Sequence, residues 1–85
     1  MTQHLRKRSF TLAGHRTSVA LEPAFWAALD RAAARRGLSL AALVAQLDAG
    51  RADPALPLAS ALRVFALAEA SDAAPRPASG GAAIA

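Results

Sequence analysis

The chain has few side chains from which a hydrophobic core can be built. Of its 85 residues, 25 are alanine and only 21 are apolar residues larger than alanine. A single core in a chain this short seldom contributes more than about 3–5 kcal/mol to stability. We therefore expect one domain at most, stabilised by association with a second copy of the chain.

The residues that usually cross-link small proteins or bind metals are scarce. There is no cysteine, which excludes disulfides and cysteine-ligated zinc, and the two histidines are far from any acidic cluster. A cysteine nucleophile, a glycine-rich phosphate loop and a His-Glu metal motif are also absent from the sequence. We expect no metal, no cofactor and no catalytic residue, and hence a protein that is not an enzyme.

Apolar runs and charge suggest where the protein works and what it binds. No apolar run approaches the roughly 20 residues of a membrane span, and the N-terminus lacks the apolar segment of a signal peptide. We expect a cytoplasmic protein that does not contact membranes.

The chain carries ten Lys and Arg residues and six Asp and Glu residues, which gives a net charge of +4. Residues 1–20 hold four of those bases with no acid. A basic end rich in arginine favours a polyanionic partner such as DNA.

Residues 8–21 form the one region whose apolar residues alternate with polar ones, which is typical of a β-strand. Gly14 interrupts the alternation. Three interpretations of residues 8–13 stay open: they extend a ribbon, form a hairpin with 16–21, or remain an arm. Residues 1–7 are expected to be a basic flexible arm. The alternating apolar positions are Phe10, Leu12, Val19 and Leu21.

From residue 22 the apolar period changes to about 3.6, which predicts helices. The first opens at Glu22-Pro23 and stops at Gly37, and the second is capped by Ser39 and ends near Gly50. A third helix is expected over 58–70, and residues 71–85 form a disordered Ala/Pro/Gly tail. The apolar stripes are Phe25, Trp26, Leu29 and Ala33; Leu40, Leu43, Val44 and Leu47; and Leu58, Leu62 and Phe65, with Ala61 and Leu67 as further candidates for the buried side of the third helix.

A lone strand leaves both of its edges unpaired, and two copies of the chain can satisfy one edge by pairing their strands antiparallel. Such a strand before a helix, the Leu29 to Ala33 spacing, and the turn Gly37-Leu38-Ser39 resemble the ribbon-helix-helix DNA-binding family. Residues 7–26 together with Ser60–Phe65 are similar to a bacterial subfamily of short ribbon-helix-helix proteins. The resemblance covers about residues 6–68.

The resemblance implies a mostly α fold with one short N-terminal β region. Residues 8–70 would form an intertwined homodimer with an intermolecular antiparallel β-ribbon and an added third helix. It also implies a DNA-binding transcriptional regulator, most simply a repressor, whose ribbon enters the major groove of double-stranded DNA. The expected dimer core is Val19, Leu21, Phe25, Trp26, Leu29, Ala33, Leu43, Val44 and Leu47.

Contacts with DNA are expected from two parts of the chain. If Thr17, Val19 and Leu21 face inward, then Arg16, Ser18 and Ala20 face outward and contact bases, although Ala20 offers only an apolar contact. Phosphates would be held by the N-terminus of the second helix, where Leu38, Ser39, Leu40 and Ala41 present free amides, and by the basic N-terminal residues. The expected phosphate contacts are Arg6, Lys7, Arg8, Leu38, Ser39 and Leu40.

Simpler interpretations stand beside these predictions. Arg16 on an exposed strand also protects the edge against aggregation, and Ser39 is a helix cap with or without DNA. The third helix is expected to bury Leu62 and Phe65 against the core. The alternative is that this helix and the tail bind a protein partner, which is typical of an antitoxin-like chain or an adaptor.

Overall fold

Two β-strands are followed by three α-helices in this computed structural model, which describes residues 4–51, 53 and 55–73. The helix bounds agree with the sequence pattern except at the end of the third helix. None of the helices in the described ranges is long and apolar enough to cross a bilayer. The elements are β1 (Arg6–Leu12), β2 (His15–Leu21), α1 (Pro23–Arg35), α2 (Leu40–Ala49) and α3 (Leu58–Ala73).

The two strands form an antiparallel hairpin within one chain, the second of the three interpretations left open for residues 8–13. Arg6 lies opposite Leu21 and Leu12 lies opposite His15. Ala13 and Gly14 between them have φ angles of 52° and 81°, and positive φ at both central residues is the requirement of a type I′ turn. The intermolecular ribbon stays a prediction, because the strand paired with β2 here is β1 of the same chain.

The hairpin also changes the boundary of the predicted arm. Arg6 and Lys7 were expected in a flexible arm, but β1 begins at Arg6. Both residues therefore belong to the paired strand. Their backbone groups are positioned by the ladder with Leu21 and Ala20, which the alternation in residues 8–21 alone did not indicate.

The turn between α1 and α2 follows from Gly37 and Ser39. Gly37 has a φ of 67°, and the amides of Gly37 and Leu38 donate to the carbonyls of Ala34 and Ala33 at 3.1 and 2.9 Å. This pattern is a Schellman motif, which stops a helix where glycine adopts the left-handed region. Ser39 then caps α2, since its Oγ accepts a hydrogen bond from the amide of Ala42 at 3.0 Å.

The third helix is longer than predicted. It continues to Ala73, so the prediction that the tail starts at Ser71 is wrong by three residues. Alanine-rich sequence continues a helix readily, and the next proline in the chain is Pro75, which disfavours helix at the residue before it. The remainder of the predicted disordered tail, 74–85, lies outside the described residues.

The core lies between the inner face of the hairpin and the three helices, all within one chain. The predicted alternation is confirmed, because the four inward apolar residues of the strands, Phe10, Leu12, Val19 and Leu21, are buried. Leu62 of α3 is fully buried, as expected for a helix that covers the core, and small buried residues such as Ala32 and Ala33 let the helices approach closely. The main cluster is Phe10, Leu12, Val19, Leu21, Trp26, Ala28, Leu29, Val44, Leu62 and Ala66.

The residues expected in a dimer core all lie in this single-chain core. Seven of the nine are buried, while Phe25 and Leu47 are half-buried and pack against the cluster. A chain that seemed too poor in apolar residues thus builds a core of its own, because α3 adds Leu62, Phe65 and Ala66 to it. Their participation in an interface between two copies stays a prediction.

The contribution of α3 to the core can be measured by comparing two separate leucine-to-alanine variants of this helix. Leu62→Ala is expected to lower the free energy of unfolding by about 2–5 kcal/mol, since it leaves a cavity in the core. Leu67→Ala is the control, because Leu67, a candidate for the buried side of this helix by its spacing, is 65% exposed. Its cost should stay within about 0.5 kcal/mol. Denaturant unfolding at several protein concentrations measures both, and equal losses would contradict the placement of α3.

Candidate nucleic-acid interface

The outer face of the hairpin gathers the three predicted base-contacting residues. Arg16 and Ser18 are exposed and Ala20 is half-buried. Their opposite partners on β1 are Thr11, Ser9 and Lys7. The hydroxyls of Ser9 and Ser18 lie 2.9 Å apart, so both strands present these side chains on one face. The face has six members: Lys7, Ser9, Thr11, Arg16, Ser18 and Ala20.

Half of this face was not assigned to base contact from the sequence. Sequence reasoning assigned Lys7 to phosphate contact, and Ser9 and Thr11 to no role. The signal that identifies them is the two-residue spacing between Leu12 and His15, because a two-residue loop fixes the register of a hairpin. That register places residues 7, 9 and 11 beside residues 20, 18 and 16.

Trp26 fixes the inner face of the hairpin on α1. Its indole Nε1–H donates to the carbonyl of Arg6 at 2.8 Å, and its ring lies 6.0 Å from that of Phe10, centroid to centroid. Arg8 covers the same indole, with its guanidinium carbon 4.9 Å from the ring centroid. Its Nη1 is 3.3 Å from the carboxylate of Asp30. Arg8, a predicted phosphate contact, is thus held against α1 in this structure.

Two arginines at the end of α1 share one carboxylate from α3. Arg36 makes a bidentate pair with Glu69 at 2.9 and 2.7 Å, and Arg35 donates to the same group at 2.7 Å. The hydrogen bonds from Arg36 and Arg35 lower the pKa of Glu69 to about 2. The hydrogen bond to Glu69 raises the pKa of Arg36. The guanidinium carbon of Arg36 also lies 5.2 Å from the centroid of the Phe65 ring.

The other end of α1 is joined to α3 in a similar way. Arg63 Nε donates to the carboxylate of Glu22 at 3.0 Å, and its guanidinium lies 5.9 Å from the ring of Phe25. A backbone hydrogen bond and the bond from Arg63 lower the pKa of Glu22. Arg8, Arg36 and Arg63 therefore each lie over an aromatic ring and pair with a carboxylate, which satisfies guanidinium groups that would otherwise be free to bind an anion.

Ion pairing sorts the basic residues into two groups. Arg51 pairs with Asp48 at 3.1 Å, which brings the paired arginines to five: Arg8, Arg35, Arg36, Arg51 and Arg63. The bases that enter none of the ion pairs between described residues are Arg6, Lys7, Arg16 and Arg31. Three of these four belong to the hairpin, so among the described residues the unpaired positive charge lies mainly there.

The N-terminus of α2 offers fewer free amides than predicted. The amide of Leu38 already donates to the carbonyl of Ala33 at 2.9 Å, so its expected role as a free phosphate donor is wrong. The Oγ of Ser39 is engaged in capping the helix. The amides of Leu40 and Ala41 remain, because the first amides of a helix have no acceptor within it. No cluster of metal-binding side chains occurs in the part of the chain described here.

Glu69 makes folding sensitive to acid. Because its pKa of about 2 in the folded chain lies below the ordinary 4.5, its contribution to stability is complete above about pH 5 and is lost as the pH falls toward 2. Glu69→Gln is therefore expected to be less stable than the parent near neutral pH. That difference should shrink as the pH falls through this window in denaturant titrations at stepped pH. A difference that stays constant down to pH 2 would contradict the pairing.

Comparison with known proteins agrees with this architecture. The sequence model of a family described as the ribbon-helix-helix domain matches residues 5–70, which is more than half of the chain. Neither the search of curated proteins nor the search of solved structures found a match. Proteins with this domain are generally DNA-binding transcription regulators or antitoxins, and the domain is typically not enzymatic. The hairpin, the helices that follow it and the match over residues 5–70 show that the chain belongs to the ribbon-helix-helix domain family.

Proposed function

We propose that this protein is a sequence-specific transcriptional regulator of the cytoplasm, most simply a homodimeric repressor that occludes a promoter. The observation that carries the proposal is the outer face of the hairpin. Apart from the half-buried Ala20, this face is exposed. It holds Lys7 and Arg16, which enter no ion pair with another described residue. The chain itself belongs to a family whose members are generally DNA-binding transcription regulators or antitoxins. Positive charge left free by folding attracts the phosphate backbone and accelerates encounter with DNA.

Base recognition in this proposal uses the dimensions of the major groove, which admits a two-stranded β-ribbon. Arg16 is the principal reader, because a guanidinium engages O6 and N7 of guanine together. The hydroxyl of Ser18 can donate or accept a hydrogen bond and therefore suits more than one type of base. Ala20 contacts a thymine methyl group. The hydroxyl of Ser18 keeps hydrogen-bonding capacity beyond its contact with Ser9, since a hydroxyl has one donor and two acceptor positions.

Phosphate anchoring in this proposal comes from two sources. The amides of Leu40 and Ala41 and the positive end of the α2 dipole bind one phosphate, with the Ser39 cap holding the turn in shape. Arg6 adds a cationic contact beside the ribbon, whereas Arg8 contributes only if it exchanges Asp30 for a phosphate. Arg35 and Arg36 are occupied by Glu69 and are left out of the anchor.

Substitution of Arg16 tests the proposal. Arg16→Ala is expected to weaken binding to the preferred DNA sequence roughly 5- to 150-fold, the equivalent of one bidentate base contact. Arg31→Ala is the matched control, because it removes an exposed arginine of α1 that enters none of the described ion pairs. It should leave the preference among sequences unchanged. Fluorescence anisotropy on DNA selected from a random pool measures both, with circular dichroism to confirm the fold.

Dimer formation and salt-sensitive DNA binding are tested before base recognition, and failure of either would overturn the proposal. The wild-type protein is expected to behave as a dimer in size-exclusion chromatography with light scattering. Its DNA affinity should fall steeply with salt, as expected when phosphates exchange counterions for basic side chains. A protein that stays monomeric, or that shows no salt-sensitive binding to DNA from its own upstream region, is not the regulator proposed here.

A second candidate function is favoured by the exposed face of α3. Val64 and Leu67 are 68% and 65% exposed, while the charged residues Arg63 and Glu69 are paired at the two ends of α1. The exposed side of this helix therefore holds two large apolar side chains, between the exposed serines Ser60 and Ser71. A groove of about 430 Å³ borders it, lined among others by Leu47, Leu56, Ala61, Val64 and Phe65.

This surface supports the antitoxin-like or adaptor function, in which α3 binds a protein partner. Arg51 also lines the groove, and its Nε is buried without a hydrogen-bond partner among the described residues. A partner that inserts apolar side chains into this groove would cover Val64 and Leu56, whereas the guanidinium of Arg51 is already held by Asp48 and by the carbonyl of Leu56. An adjacent small reading frame would encode the natural candidate for such a partner.

The double substitution Val64→Ser with Leu67→Ser separates the two functions. If α3 binds a partner protein, the variant should lose binding to the product of the adjacent reading frame in calorimetry while it retains DNA binding. Leu5→Ser is the control, since Leu5 is an exposed leucine far from α3 in sequence and 55% exposed. Unchanged partner binding in the double variant would remove the support that this surface gives to the second function.

A further inference from the structure

We infer that Glu69 of α3 lowers the affinity of this protein for DNA by holding Arg36, and with it Arg35, away from the DNA backbone. The inference rests on the proposed DNA-binding function and adds a regulatory contact to it. In the proposed complex the N-terminus of α2 binds a phosphate, and the two arginines end the helix that precedes α2. A carboxylate from the third helix occupies their guanidinium groups, so α3 limits how strongly the chain binds a polyanion.

The two arginines lie beside the proposed phosphate anchor in the chain. Arg35 is the last residue of α1, and Arg36 is its C-cap. The turn at Gly37 sets the path of the backbone from there to Leu40, where α2 begins. Four residue steps separate Arg36 from Leu40, which is a span of at most about 14 Å between Cα atoms. Two cationic side chains therefore border the position where a phosphate would bind the first amides of α2.

Glu69 occupies the donors of Arg36 more completely than those of Arg35. Both terminal nitrogens of Arg36 donate to the carboxylate, at 2.9 and 2.7 Å, and its Nη1 also lies 3.3 Å from the carbonyl of Ala32. The guanidinium carbon lies over the ring of Phe65, 5.2 Å from its centroid. Arg35 donates a single hydrogen bond to the carboxylate, at 2.7 Å. Arg36 is therefore the arginine that has to release Glu69 before it can bind a phosphate in the same bidentate way.

The surroundings of Glu69 favour the internal pair over a pair with DNA. The Glu69 side chain is only 15% exposed, whereas those of Arg35 and Arg36 are 44% and 39% exposed. A partly buried ion pair is screened less by salt than one between exposed groups. A DNA phosphate that binds Arg36 has to replace two hydrogen bonds that are already made, so the exchange adds little affinity. Because phosphate contacts carry no sequence information, Glu69 lowers the affinity for all DNA sequences alike and leaves base recognition unchanged.

Removal of the carboxylate charge tests the inference. Glu69→Gln keeps the size of the side chain but releases Arg36 to bind a phosphate. The affinity for DNA at low salt is expected to rise roughly tenfold, the equivalent of one hydrogen bond to a charged group. The slope of log affinity against log salt should steepen by about 0.9 for each phosphate gained. Fluorescence anisotropy on the selected sequence and on unrelated DNA measures both quantities, with circular dichroism to confirm the fold, and the gain should be equal for the two DNAs.

Asp48→Asn is the matched control. It removes the same charge and separates Arg51 from its carboxylate, but it does so at the opposite end of α2. The ten residues of α2 place that end about 15 Å from the phosphate anchor, beyond the Debye length of about 8 Å at physiological salt. The DNA affinity of this variant should change by less than roughly twofold. An equal gain in Asp48→Asn and Glu69→Gln would show a general effect of charge and would overturn the inference.

Arg36→Ala, made in both backgrounds, completes a double-mutant cycle. In the wild-type background Glu69 already holds Arg36, so Arg36→Ala should lower DNA affinity by less than roughly threefold. In the Glu69→Gln background the same substitution should remove most of the roughly tenfold gain. A tenfold loss from Arg36→Ala alone would show that Arg36 contacts DNA in the wild-type protein. That result overturns the inference even if Glu69→Gln does not fold.

The outcomes separate this inference from the proposed function. If Glu69→Gln folds and leaves both the affinity and the salt slope unchanged, the inference is overturned while the regulator function stands. If the wild-type protein shows no salt-sensitive binding to DNA, the proposed function fails and the inference fails with it. A gain that appears in Glu69→Gln, disappears when Arg36→Ala is added and is absent from Asp48→Asn supports the inference.

Discussion

The anchoring of the hairpin on α1 by Trp26 is the contact on which the rest of the surface depends. The buried indole donates to the backbone carbonyl of Arg6, packs near Phe10 and is covered by the guanidinium of Arg8. A hydrogen bond from a buried donor is costly to lose, and an aromatic ring adds a large contact area. Because the inner face is fixed in this way, the outer face is held outward as a rigid ribbon.

Electrostatics is organised by the same packing. Three arginines lie over aromatic rings and pair with carboxylates, and two of these pairs fasten α3 to the two ends of α1. Each such pair is satisfied within the chain, so it contributes little to the field that reaches an outside polyanion. Within the described ranges, the cations that remain are concentrated on the hairpin, which focuses their positive charge on one surface. Net charge alone does not reveal this sorting.

Much of the fold was predictable because it depends on local chemistry. Pro23, Gly37 and Ser39 set the ends of α1 and α2, where a ring, a left-handed backbone and a capping hydroxyl are required. The inward positions of β1 and β2 followed from alternation. The strand partner of β2 did not, because alternation shows which side of a strand is buried and not which strand lies beside it. The free amide expected at Leu38 also failed, since the glycine turn that ends α1 uses it.

The sequence by itself determined the helices, the buried faces and the family, since these follow from periodicity, capping residues and a motif spread over most of the chain. It also placed Arg16, Ser18 and Ala20 on one side of a strand. Only the tertiary structure decided that Lys7, Ser9 and Thr11 join them, and which arginines remain unpaired. Register and ion pairing depend on residues such as Arg36 and Glu69 that are far apart in the chain and meet only when α3 packs on α1.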